Sequence, residues 1–413
     1  MAAAIIPFCF LFLTKVVRGG KFKDTVGLGF FSALLIISHI PTTVIAVICL
    51  GIYAILILDW KRIAKIIPQL FVSGLFAVTS TAFYWSKLIT EMSLVNHSSP
   101  RFSTGPYSYN TSFFPMFFNS SESYFLKQMW YKDIVSLTII IFILPLAVFY
   151  IWQRKKSAED FDNKKYYLAL ILTGSFAFFM SSSASSFIWA NFSFLQKIQF
   201  PFRWLSVATL IGVMCFVIVQ QYLSGSNNIL NNLKKYLVVA FLFGIFLFDI
   251  SQVILPSEAL SRPQFAEKLE GLTEQESFDC WWTVWSKSEA FSKREKVIAD
   301  NRSVNIINWQ AQLREFEIVS GNQTNARIAT FYYPHWQATV NGNKVEIEKA
   351  EDGTILIPVP KETAKVVLSF EESYFIKIAH ALTFLSWALF LLIGAGSLIK
   401  KFFFNPTIPL SKI

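Results

Sequence analysis

Long apolar runs, interrupted by one long polar and alternating run, set the plan of this chain. The apolar runs cover residues 2–16, 25–40, 42–58, 67–86, 134–152, 167–184, 204–222, 237–255 and 376–399. A helix needs roughly 20 apolar residues to cross a bilayer, and several runs reach that length. The second and third are short and flank Ser38-His39-Ile40-Pro41-Thr42. Proline lacks an amide donor and disfavours helix at the residue before it. A tight hairpin at His39–Thr42 is therefore expected, not one long span.

Between 257 and 373 the pattern changes to period two. Val304-Asn305-Ile306, Phe316-Glu317-Ile318-Val319 and Ala329-Thr330-Phe331-Tyr332-Tyr333 read as strands. Val345, Ile347, Ile355, Ile357 and Val359 alternate with polar neighbours, so one face of each strand should be buried. Asn341-Gly342 and Asp352-Gly353 read as two-residue hairpin turns. Tyr333 and Trp336 are expected in one strand, as core residues. Three tryptophans in five residues, Trp281, Trp282 and Trp285, should pack on the β part or sit at a membrane surface. The expected fold class is a polytopic all-α membrane bundle of about nine transmembrane helices with an extracytoplasmic β-sandwich. Residues 1–256 form the helical domain, 257–373 a mixed lead-in and the sandwich, and 374–413 the last helix and a cytosolic tail.

Composition agrees with that plan. Hydrophobic residues make up 54% and charged residues 15%, against about 25% charged in a soluble domain. The net charge of +10 is not a nucleic-acid signature, because the basic residues sit in short loops and acids outnumber bases from 257 to 373. Lys15, Arg18, Lys21 and Lys23, then Lys61, Arg62 and Lys65, then Arg154, Lys155, Lys156, Lys164 and Lys165, then Lys234 and Lys235, then Lys400 and Lys401 all fall on one side if every run crosses once. The positive-inside rule makes that side cytosolic. Loops 87–133, 185–203 and 257–373 are then outside, as is the start of the chain. No basic leader or cleavage site precedes Lys15, so a signal peptide is not expected. An outward start with nothing before it points to earlier helices missing ahead of it; a signal-anchor-like first helix is the other reading. Cys9, Cys49 and Cys215 lie in spans and Cys280 stands alone in the outer region, so no disulfide framework is expected. The four histidines are far apart in sequence, which gives a zinc site little support.

The run YYPHWQATVNGNKVEI, followed by ILIPVP and VVLSF, resembles the terminal module of the YfhO-like, 6-pyruvoyl-tetrahydropterin-synthase-related membrane proteins. LLIISHIPTTVIAVICLGIYAILIL, AFYWSKLIT and LQKIQFPFRWLSVATL are similar in order and place. The resemblance implies the GT-C class of membrane glycosyltransferases, which move a sugar from a polyprenyl-phosphate carrier on the outer face. It departs from that class at its start: the acidic catalytic loop after the first helix has no counterpart here. The chain could therefore be a fragment, a remnant or the partner of another subunit.

Inverting sugar transfer needs a carboxylate to take the acceptor proton and a cation to hold the departing phosphate. Four residues are candidates. Arg203, in Phe200-Pro201-Phe202-Arg203-Trp204, can hold a phosphate with two parallel bonds or snorkel to head groups. His39 faces the carrier phosphate or caps a helix. Lys87, after Phe83-Tyr84-Trp85, binds phosphate or anchors the interface. Asp249, an acid inside an apolar run, is a functional candidate by default, or lies near enough to the surface to be solvated. Glu91 and Asp133 look ordinary, and no carboxylate pair stands out as a base. No soluble cofactor is implied; a divalent cation is compatible with the chemistry, but its usual acidic ligands are not visible. The partners implied are membrane lipid, a polyprenyl-phosphate-linked sugar, and a glycan acceptor or a membrane subunit, with no nucleic acid. Two other classes stay open: a non-catalytic scaffold whose sandwich binds a glycan or a protein, and a transporter.

Overall fold

The computed structural model describes residues 2–99, 109–114, 158–224, 261–273 and 280–404, with single positions between 236 and 247. The run 134–152, most of 237–255, Asp133 and Asp249 lie outside the described residues. The longer helices are α1 (Ala2–Val17), α2 (Phe22–Ser38), α3 (Ile40–Ile57), α4 (Ile63–Ser80), α5 (Ala82–Glu91), α6 (Ala158–Ser181), α7 (Leu205–Ser224), α8 (Arg262–Thr273) and α9 (Tyr374–Phe404). Two compact units emerge: Met1–Thr81 with Ser103–Ser261, and Ala82–Phe102 with Arg262–Ile413.

The first unit is helical. Its core gathers Ile6, Phe10, Leu13, Leu35, Ile45, Cys49, Ile57, Met180, Trp189, Trp204 and Ile211. Its helix surfaces are apolar as well. Val47, Ile55, Ile67, Phe71, Leu75 and Leu172 are all exposed, Phe71 by 67%. A helix hydrophobic on its outer side as well as its inner side suits lipid, not water. Among the described residues, Ile40–Ile57, Trp60–Ser80 and, in the second unit, Tyr374–Gly394 are long and apolar enough to cross a membrane; Ala2–Val17, Lys165–Ser181 and Pro201–Cys215 are shorter apolar helices. The remaining expected spans are not shown.

The hairpin between the second and third runs is tighter than expected. A single extended residue, His39, separates α2 from α3, and Pro41 sits in the first turn of α3, where its missing N–H costs nothing. The Thr43 hydroxyl bonds the carbonyls of Leu35 at 2.9 Å and His39 at 3.0 Å. α2 and α4 meet closely at Gly29, where a Cβ would stand 3.0 Å from the Ser73 carbonyl oxygen. The Ser73 hydroxyl also donates to the Thr25 carbonyl at 2.7 Å. Small residues let helix backbones approach in this way.

The second unit is a two-sheet sandwich with helical attachments. Its strands are β1 (Val297–Ile298), β2 (Val304–Trp309), β3 (Leu313–Ile318), β4 (Thr324–Phe331), β5 (Trp336–Val340), β6 (Asn343–Val345), β7 (Glu348–Lys349), β8 (Thr354–Val359) and β9 (Ala364–Phe370). One sheet has the order β1-β4-β8-β7 and the other β2-β3-β9-β5-β6. All pairings are antiparallel. Phe316, Ile318, Ala338, Val366 and Leu368 from one sheet pack with Ala326, Ile328, Ile355, Ile357 and Val359 from the other.

Three expectations need correction here. Tyr333 is not in a strand with Trp336; it lies in the connection from β4 to β5, half-buried, while Trp336 opens β5 and is buried. Asn341-Gly342 does form the two-residue turn, with both residues at positive φ. Asp352-Gly353 does not, since of the two only Gly353 is left-handed, at φ 79°. Its N–H bonds the Ala350 carbonyl at 2.9 Å and the Ala350 N–H bonds the Thr354 carbonyl at 2.9 Å. This is the longer loop, a turn closed by a glycine bulge. A Cβ on Gly353 would stand 2.0 Å from the Trp285 carbonyl oxygen. The fourth apolar run also ends early, breaking at Thr81, and α5 begins the second unit.

Candidate functional site

Two clusters of candidate side chains emerge, one in each unit. In the helical unit, the two ends differ. Arg62 donates to the Arg18 carbonyl at 3.3 Å, Lys165 donates to the Leu58 carbonyl at 3.0 Å, and the Arg18 guanidinium lies 3.7 Å from the Tyr166 ring centre. Three basic loops, far apart in sequence, thus share one end. α2 leaves that end and α3 returns to it, so His39 marks the opposite end, about 26 Å away by helical rise. Arg203 lies at that opposite end too: α6 leaves the basic end near Lys165 and finishes at Ser181, whose carbonyl takes the Phe114 N–H at 2.8 Å, while the neighbouring Ser112 carbonyl takes the Phe202 N–H at 3.2 Å.

Local structure fixes both residues. His39 caps α3: its Nδ1 lies 2.8 Å from the Thr42 hydroxyl and accepts the Thr42 N–H at 3.3 Å. Arg203 donates one guanidinium N–H to the Ile198 carbonyl at 2.5 Å and stacks 4.7 Å from the Phe200 ring centre. The turn before it is held by Gln199 at φ 67° and by the stacked Phe200 and Phe202 rings. A guanidinium has five N–H donors; the Ile198 carbonyl takes one.

In the second unit, α5 carries Phe83, Lys87 and Glu91 at four-residue spacing, which places them on one face. That face lies along the start of α9. The Phe83 N–H donates to the Thr383 hydroxyl at 3.0 Å. Lys87 pairs with one oxygen of Glu372, and His380 Nε2 lies 3.2 Å from the other. One turn further on, Glu91 accepts the Tyr333 hydroxyl at 2.8 Å and lies 3.3 Å from His335 Nε2. The Glu371 N–H bonds the His335 carbonyl at 2.9 Å, tying that loop beside Glu372. The chain after α5 continues the attachment: Val95 bridges Thr283, and His97 stacks on Trp281.

The electrostatics follow from these contacts. The Lys87 ammonium holds the Glu372 carboxyl below its usual range, against a smaller opposing effect of burial. Burial, with the Glu91 carboxylate beside it, pushes the Tyr333 phenol up, so the hydroxyl stays a donor. Glu91 looked ordinary as a sequence position; its role depends on contacts to residues more than 240 positions later. The visible hint was the Lys87–Glu91 spacing on a helix.

Of the four sequence candidates, the structure brings His39 and Arg203 into one unit and Lys87 into the other, while Asp249 lies outside the described residues. Among the described residues, no group of three or more His, Cys, Asp or Glu side chains is placed to hold a metal ion. Of the three clustered tryptophans, Trp282 packs on Phe291 and Phe331, Trp285 packs on Tyr332, and Trp281 stays exposed. No family model, curated protein or solved structure matches this chain.

Proposed function

We propose that the protein is a GT-C-like integral membrane protein of the YfhO-like kind, which transfers, or helps to transfer, a sugar from a polyprenyl-phosphate carrier to a cell-surface glycan or glycolipid. The observation that carries this reading is the unlikeness of the two ends of the helical unit. The end that gathers Arg18, Arg62 and Lys165 is the cytosolic end under the positive-inside rule. The opposite end then faces outward and presents Arg203, oriented by Phe200 and Ile198, with His39 at the same end. An oriented, partly desolvated guanidinium suits the planar, two-bond recognition of a phosphate.

The runner-up is a non-catalytic binding scaffold, and one observation favours it. The carboxylates described with side chains in the helical unit, Asp24 and Asp59, sit at the basic end, far from Arg203. Within that unit the described residues offer a candidate phosphate-binding cation with no carboxylate beside it.

The test is Arg203→Lys. Lysine keeps the charge and loses the two parallel bonds, so binding of a polyprenyl-phosphate sugar to the protein in lipid nanodiscs should weaken about tenfold, the equivalent of about 1.4 kcal/mol, with expression and folding intact. Equal binding by the two proteins reduces Arg203 to a membrane anchor and removes the support for this reading.

A further inference from the structure

At one end of the sandwich an arginine stands without a counter-charge. Arg314 alternates with Phe316 and Ile318 along β3, so it lies on their inward face. It pairs across the strands with Trp309 of β2. Its guanidinium carbon is 4.8 Å from the Trp309 ring centre and 5.5 Å from that of Trp336. From the other sheet, Lys296, just before β1, brings its Nζ to 5.4 Å from the Trp309 ring centre. One Nη1 N–H of Arg314 bonds the Leu313 carbonyl at 3.2 Å, and that carbonyl also closes the β2–β3 turn by taking the Gln310 N–H at 2.8 Å. Arg314 Nε is buried with no partner. Of the five guanidinium donors, the described residues satisfy one, and burial draws the group below its ordinary range. Acids outnumber bases from 257 to 373, yet among the described residues no carboxylate pairs with Arg314 or Lys296.

Indoles orient this guanidinium, and a second cation stands beside it. The missing element is an anion supplied from outside. The β2–β3 turn narrows the kind of anion. Gln310 and Gln312 are exposed on it and offer neutral amide donors and acceptors. Trp309 is half-buried, and an indole face suits the C–H face of a sugar ring. Two cations amid an excess of acids suit one carboxylate among hydroxyls better than a dense polyanion. We propose that this end of the sandwich binds an acidic saccharide. A hexuronic acid carboxylate takes the free N–H groups of Arg314, Lys296 supplies the second cation, and the sugar ring lies against Trp309. The four residues Lys296, Trp309, Arg314 and Trp336 all belong to the second unit, and the proposal does not rest on the transferase reading.

The experiment is calorimetric titration of the full chain in lipid nanodiscs with two probes. One is an oligosaccharide of glucuronic acid and N-acetylglucosamine; the other is the same oligosaccharide with its carboxylates reduced to alcohols. The wild type should bind the acidic probe saturably and the reduced probe about tenfold more weakly. Arg314→Gln should erase that difference. Lys296→Gln, at an exposed position, should weaken the acidic probe and leave the reduced one unchanged. Should Arg314→Gln fail to fold, the reduced probe and Lys296→Gln decide the matter. Arg203→Lys should alter neither titration, which separates this site from the carrier reading. A wild type that binds neither probe, that binds both equally, or whose preference survives in both variants overturns the site. A glutamate-rich peptide that competes with equal affinity overturns the saccharide assignment.

Discussion

The helical unit and the sandwich unit solve the same burial problem against different solvents. In the sandwich, burial alternates most clearly along β5, where Trp336, Ala338 and Val340 are buried and Gln337 and Thr339 are less so. Ion pairs there join Glu315 to Lys365 at 2.8 Å and Arg327 to Asp352 at 2.7 Å. In the helical unit, apolar side chains occupy the inside and the outside alike, and the charges collect at the ends of helices. Water requires a polar surface; lipid requires that charge leave the middle of the helices. The difference teaches that exposure alone is not diagnostic. An exposed Phe71 on α4 and an exposed Ile307 on β2 have opposite meanings.

The largest effect that sharpens this comparison is expected at Asp352. Its carboxylate binds Arg327 in a nearly buried pair and accepts the Thr354 N–H and hydroxyl. Asp352→Ala strands the Arg327 charge and should destabilise the sandwich by about 3–5 kcal/mol. Faster amide exchange in β4 and β8 of the full chain would register the loss. Burial raises the Asp352 carboxyl, but the bonds from Thr354 and Arg327 outweigh it, and the net shift is downward. A depressed folded pKa means that this stabilisation is complete above the unfolded value, about 3.9. It is lost as pH falls through the lower folded value. The sandwich should hold from neutrality to about pH 4 and weaken only below it.

A paired substitution tests the two solvents directly. Phe71→Lys, near the middle of α4, should oppose membrane insertion by about 2.5–3.5 kcal/mol. Ile307→Lys should change stability by no more than about 0.5 kcal/mol. Insertion assays for the first and melting of the second would break the comparison if both were neutral or both severe.

What the sequence made legible is what local periodicity encodes. Ile355, Ile357 and Val359 were readable because strand period two exposes their burial directly. Asn341-Gly342 was readable because its turn type needs those residues. Helices α1 to α4, α7 and α9 fall close to apolar runs. The misses share another cause. Asp352-Gly353 has the same dipeptide logic, but its turn is set by Ala350 and Thr354 on either side. α5 joins the second unit through contacts to Tyr333, His335, Glu372, His380 and Thr383, and the chain just after it through residues 281–284, which no local pattern reports. His39 and Arg203 were legible as basic residues beside proline turns; the Glu91–His335 pair was not, because its two halves are 244 positions apart (335 − 91).

The proposed function expects the basic end of the helical unit on the cytosolic side, and the lysine and arginine pattern expects residues 257–373 outside. Single cysteines at Lys23, Lys61 and Lys344, all exposed positions, test both expectations most directly. They are placed in a Cys280→Ser background, since the other three native cysteines are buried. A membrane-impermeant thiol reagent applied to intact cells should modify Lys344→Cys at once, and Lys23→Cys and Lys61→Cys only after permeabilisation. Labelling of Lys61→Cys from outside, or protection of Lys344→Cys until the membrane is opened, would contradict the account.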